Sequence, residues 1–89
     1  MQTMVIQPTQ LEDSLFEVFA GFTGQDFKEN PDLRDTPLLG ELIGLRARDM
    51  LFLLFRIEEM FGVKIPDQAI AEGRFNTFNN IQELIGALL

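Results

Sequence analysis

The stretch from Ile43 to Asp67, IGLRARDMLFLLFRIEEMFGVKIPD, constrains this chain more than any other. Gly44 opens it with a turn, Gly62 stops a helix, and Pro66-Asp67 first bars helix and then restarts it. Between the glycines, Met50, Leu53, Leu54, Ile57, Met60 and Phe61 recur at spacings of three and four. That pattern predicts a helix over 47–61 with one core-facing stripe. Leu51, Phe52 and Phe55 fall on its other side. A helix apolar nearly all round is either wholly buried or presents a binding face. Full burial is hard to arrange in a chain of 89 residues, which buries only a modest core. Two readings of Phe52 and Phe55 therefore stay open: a partner-binding face, or side chains covered by neighbouring loops.

The remaining segments are read around that helix. Residues 1–8 form a loose lead-in ending at Pro8, and residues 9–89 form the single domain. Thr9-Gln10-Leu11-Glu12 fits a capping box, with Thr9 as the cap and Glu12 reaching back. Leu11, Leu15, Val18, Phe19 and Phe22 then recur at helical spacing, which predicts a first helix over about 9–22, ended by Gly21 and Gly24. A polar loop follows, with Asp26, Glu29, Asp32 and Asp35. Clustered carboxylates could suit calcium, yet these recur every three residues rather than alternately, and no Gly holds the required turn. A solvated loop is the expectation, with no metal site. Thr36-Pro37 reads as a cap and first position of a short helical turn through Leu42, closed by Gly44. After Val63–Pro66, Asp67 to Glu72 predicts a short third helix ended by Gly73. Thr77 caps a last helix carrying Phe78, Ile81, Leu84, Ile85 and Leu88. No strand alternation appears. The expected fold is all-α, four helices with a short third one.

Composition narrows the function. The formal net charge is −7, which argues against nucleic acid, because phosphate binding needs a concentrated basic surface. It suits a partner with a basic docking patch, and equally suits plain solubility. The longest apolar run, Met50 to Phe55, is too short for a membrane span, and MQTMVIQ lacks the basic start and apolar core of a signal peptide. The chain has no Cys, so it has neither disulfides nor thiolate metal ligands. These features point to a soluble, cytoplasmic protein. An enzyme reading has little material: no His, Cys or Tyr, one unassisted serine at Ser14, and no Gly-rich phosphate loop. Glu58 and Glu59 are helix neighbours and point in different directions.

Ile43-Gly44-Leu45 with Asp49-Met50, and Glu58-Glu59-Met60-Phe61-Gly62-Val63-Lys64-Ile65-Pro66-Asp67, resemble the centre of the acyl carrier protein (phosphopantetheine-carrier) family. The closing Thr77-Phe78 with Ile81, Leu84 and Ile85 is similar to that family's last helix, so the likeness spans about residues 11–88. The resemblance implies a four-helix bundle with a short third helix. It also implies that the outer face of the second long helix is where enzymes dock. In the family a serine at the turn carries a 4'-phosphopantetheine arm through a phosphodiester. Arg46-Ala47-Arg48 stands where the family has Asp-Ser-Leu, so Ala47 occupies the attachment position and offers no oxygen. Asp13-Ser14-Leu15 spells the attachment tripeptide, but lies mid-helix with nothing family-like after it.

A deliberate block of modification would change the serine alone. Here all three residues differ, which favours a natural carrier-like protein that has lost its arm. Among such proteins the chain looks most like the carrier-related members of bacterial peptide-maturation systems. That resemblance implies a partner enzyme that modifies a ribosomally made peptide. The expected docking residues are Arg46, Ala47, Arg48, Leu51, Phe52, Phe55, Glu58 and Glu59, with no cofactor and no catalysis. The two guanidinium groups would grip an anion or carboxylate, or else simply salt-bridge to Glu41 or Asp49. The chain is expected to be a monomer, with a weak dimer through Phe52 and Phe55 left open. Two alternatives remain: a true carrier whose serine was replaced at Ala47, and a small bundle that binds an apolar ligand among its nine Phe.

Overall fold

Four α-helices and one 3₁₀ turn make up the computed structural model, which describes residues 8–89. Helix α1 spans Pro8–Thr23, the 3₁₀ turn Pro31–Asp35, α2 Ala47–Phe61, α3 Asp67–Ala71 and α4 Phe78–Leu88. The expected all-α class holds. The order of helices matches the periodicity, and α2 has the predicted bounds. α1 packs on both α2 and α4, and the 3₁₀ turn packs on α4.

Helix α1 is already formed at Pro8, so the lead-in described as ending there yields its last residue to the helix, and residues 1–7 lie outside the described part. Thr9 therefore has helical backbone rather than a cap's extended backbone. The Glu12 carboxylate accepts a hydrogen bond from Gln82 Nε2 of α4 at 3.3 Å. Gly21 stays helical, and the helix ends at Gly24, whose φ of 72° is left-handed.

The core is aromatic at one end. Phe78 stacks on Phe16 with centroids 5.0 Å apart and on Phe27 at 5.6 Å. Phe19 meets Phe78 edge-on at 4.9 Å and Phe27 at 5.1 Å. Such pairs add about 0.5–1.5 kcal/mol each beyond the burial of their area. Thus α1, the loop after it and α4 are joined through four rings. Arg34 of the 3₁₀ turn closes over this cluster. Its Cζ lies 4.9 Å from the Phe16 centroid, Nε donates to the Phe27 carbonyl at 2.8 Å, and Nη2 donates to the Lys28 carbonyl at 3.0 Å.

Residues 36–45 depart from expectation. No helix follows Thr36-Pro37; the segment is a series of turns. The Thr36 hydroxyl donates back to the Asp32 carbonyl at 2.9 Å, finishing the 3₁₀ turn instead of opening a helix. Leu38 is fully buried, its N–H donates to the Asn76 carbonyl at 3.0 Å, and its carbonyl accepts from Leu45 N–H at 3.0 Å. These two longer-range bonds tie the segment to the loop before α4 and to its own end. Gly44, with φ 81°, turns the chain back so that Leu45 can make the second of them.

At the other end of α2, Gly62 adopts φ 65° and ends the helix in the left-handed conformation. The connector 63–66 is then extended, and buried Ile65 anchors it to the core. Thr77 caps α4 as expected, its hydroxyl accepting from Asn80 N–H at 3.1 Å.

Candidate docking face on α2

Leu53, Ile57 and Phe61 form the buried seam of α2, with Met50, Leu54 and Met60 half-buried beside it. At about 100° per residue, Arg48, Leu51, Phe52, Phe55 and Glu59 share the opposite half of the helix. Solvent exposure follows that geometry. Leu51 is 50% exposed, Phe52 56% and Phe55 53%. Among the described residues no loop covers Phe52 or Phe55, so the covering-loop reading does not hold there. Leu51, Phe52 and Phe55 thus leave an exposed apolar stripe on the outward half of the helix.

The turn that starts α2 is also open to solvent. Arg46 holds the cap position with extended backbone, φ −98° and ψ 168°, and Arg46, Ala47 and Arg48 are all exposed. The Asp49 carboxylate accepts from the Arg46 N–H at 3.0 Å, which is half of a capping box. The other half cannot form, since a guanidinium has no acceptor. Asp49 also places the one favourable charge in the first turn, where the helix dipole disfavours the two arginines by a few tenths of a kcal/mol each. Among the described residues neither Arg46 nor Arg48 pairs with Glu41 or Asp49, so the salt-bridged alternative does not form. Their guanidinium groups are available to something else.

The two glutamates at the helix end have separate situations. Glu59 is 79% exposed at its side chain and makes an i,i+3 ion pair with Arg56 at 3.5 Å. Glu58 is only 14% exposed, accepts from the Ile65 N–H at 2.8 Å, and lies 3.9 Å from Lys64 Nζ. Its work is to bind the connector back to α2. The outward half of α2 thus carries Arg48, Leu51, Phe52, Phe55 and Glu59, exposed Arg46 and Ala47 lie in the turn that starts the helix, and Glu58 is engaged instead with the Ile65 N–H. Arg56, half exposed beside Glu59, is absent from the expected face, although its i,i+3 spacing to Glu59 is the sequence signal for the pair it makes.

Ala47 presents a methyl group at the first position of α2. It has no side-chain oxygen on which the phosphodiester of a 4'-phosphopantetheine arm could be made, so that group does not fit here. Ser14 is half-buried in the middle of α1. The acidic loop has its own geometry: Asp26 Oδ1 accepts from the N–H groups of Lys28 and Glu29 at 2.9 and 3.1 Å, and Asp35 accepts from Asn79 at 2.7 Å. Among the described residues no group of three or more carboxylates converges as a metal site. A groove of about 360 Å³ between α1 and α2 is lined by Val18, Phe22 and Met60 with Glu17 and Arg56 at its edge. No helix is long and apolar enough to cross a membrane among the described residues. No protein-family model, curated protein or solved structure matches the chain.

Proposed function

We propose that this protein is an arm-less, acyl-carrier-like docking protein, non-catalytic and cytoplasmic, that engages a biosynthetic or peptide-modifying enzyme through the outer face of α2. The observation that carries the reading is the exposed Leu51–Phe52–Phe55 stripe, set opposite the core seam and headed by the unpaired Arg46 and Arg48. The resemblance supplies the carrier part: the same helix order, a glycine turn before α2, and Ala47 exposed where a carrier would present its serine. In this reading Phe52 and Phe55 enter an apolar groove of the enzyme, and the two guanidinium groups hold carboxylates at its rim.

The test is the intact mass after incubation with coenzyme A and a promiscuous phosphopantetheinyl transferase, with Ala47→Ser run beside the wild type. Neither protein is expected to gain an arm, because Arg46 and Arg48 also replace the acidic and apolar residues that such a transferase reads. A gain in Ala47→Ser would replace this reading with that of an ordinary carrier whose attachment site has been blocked.

A further inference from the structure

The outward face of α2 is complementary to itself. Arg48 precedes Phe52 by one i,i+4 step, and Glu59 follows Phe55 by the same step. Arg48, Phe52, Phe55 and Glu59 therefore read cation, aromatic, aromatic, anion along the helix, symmetric about the midpoint between the two Phe, with Arg56 at the position that mirrors Leu51. Reversing the helix direction sets Arg48 against Glu59 and Phe52 against Phe55. A two-fold axis through that midpoint makes every contact twice, as an isologous interface requires, and closes the assembly at two copies.

We propose that the occupant of this face, when no other protein covers it, is a second copy of the same chain, with the two α2 helices antiparallel. Four Phe rings would form the centre of the interface. An Arg48–Glu59 pair would close each end, with Leu51 at the margin. All four side chains are in place for this: Arg48 is exposed, Phe52 and Phe55 are each more than half exposed, and Glu59 is 79% exposed with Arg56 its sole ion-pair partner among the described residues. A parallel arrangement would instead put like charges together at both ends. The net charge of −7 on each copy opposes association, and the apolar stripe is small beside a standard interface of about 1,600 Å², so the dimer is weak. This inference stands apart from the carrier reading, because it concerns oligomeric state and does not depend on whether Ala47→Ser accepts an arm.

The experiment is sedimentation equilibrium on the intact chain up to about 1 mM, at moderate salt, with charge-reversed variants. The wild type is expected to dimerise within that range. Arg48→Glu and Glu59→Arg, each placing like charges at both ends, are expected to weaken the dimer by about tenfold or more, and the double variant is expected to restore it. Both positions are exposed, so circular dichroism should show all variants equally folded. A monomeric wild type throughout, single reversals without effect, or a double variant that fails to recover would each overturn the proposal.

Discussion

Glu58 and Glu59 are adjacent in sequence, yet one holds the fold together and the other faces solvent. Among the described residues the Glu58 carboxylate is the one acceptor for the Ile65 N–H, and Ile65 is buried. Glu58→Ala is therefore expected to lower stability by about 1–2 kcal/mol, since it leaves a part-buried donor unpaired. Lys64→Ala removes only an ion pair at 3.9 Å from a side chain that is 85% exposed, and is expected to change stability by less than about 0.5 kcal/mol. Urea denaturation of the two variants beside wild type checks the contrast; equal losses would contradict it. Sequence could not separate these residues. Period and charge place Glu58 and Glu59 alike near the helix end, whereas the partner of Glu58 lies beyond Gly62, on backbone whose path is fixed only when Ile65 enters the core. Thr77, by contrast, was legible, because a cap bonds to its own next turn.

Helices were read correctly where their stops are local. Gly62 and Gly73 take left-handed backbone at the ends of α2 and after α3, as their chemistry allows. The failure came at residues 36–42, where Thr-Pro signals a helix start but distant partners prevail. The N–H of Leu38 goes to Asn76, and the hydroxyl of Thr36 goes back to Asp32. Neither bond has a signature in the neighbouring residues. The docking face was half legible for a related reason. Spacing shows that Leu51, Phe52 and Phe55 oppose the core stripe, but only the folded chain shows that no described residue covers them. These elements predict different responses to aromatic loss. Phe78→Ala empties the centre of the ring cluster and is expected to destabilise by about 3–5 kcal/mol. Phe52→Ser or Phe55→Ser is expected to stay within about 0.5 kcal/mol of wild type. Thermal melts in dilute solution would check both; a large loss from either serine variant would mean that the stripe is structural.

For the molecule as a whole, fourteen acidic residues face seven basic ones, and among the described residues only two ion pairs form. Self-repulsion thus outweighs specific pairing, and added salt should screen the former more than it weakens the latter. The melting temperature is expected to rise between about 0.05 and 0.5 M NaCl; a fall would place more stability in surface pairs than the geometry supports. The four-ring cluster has a different consequence at this scale. Its members come from α1, the following loop and α4, and none from α2. α2 is held instead by the aliphatic seam Leu53 and Ile57, by Phe61, and by the Glu58 tether at its end. Native-state hydrogen exchange should accordingly resolve two levels of protection: amides of α1 and α4 that exchange only when the whole chain unfolds, and amides of α2 that exchange through a smaller opening of lower free energy. The helix that carries the exposed apolar stripe would then also be the first to leave the fold.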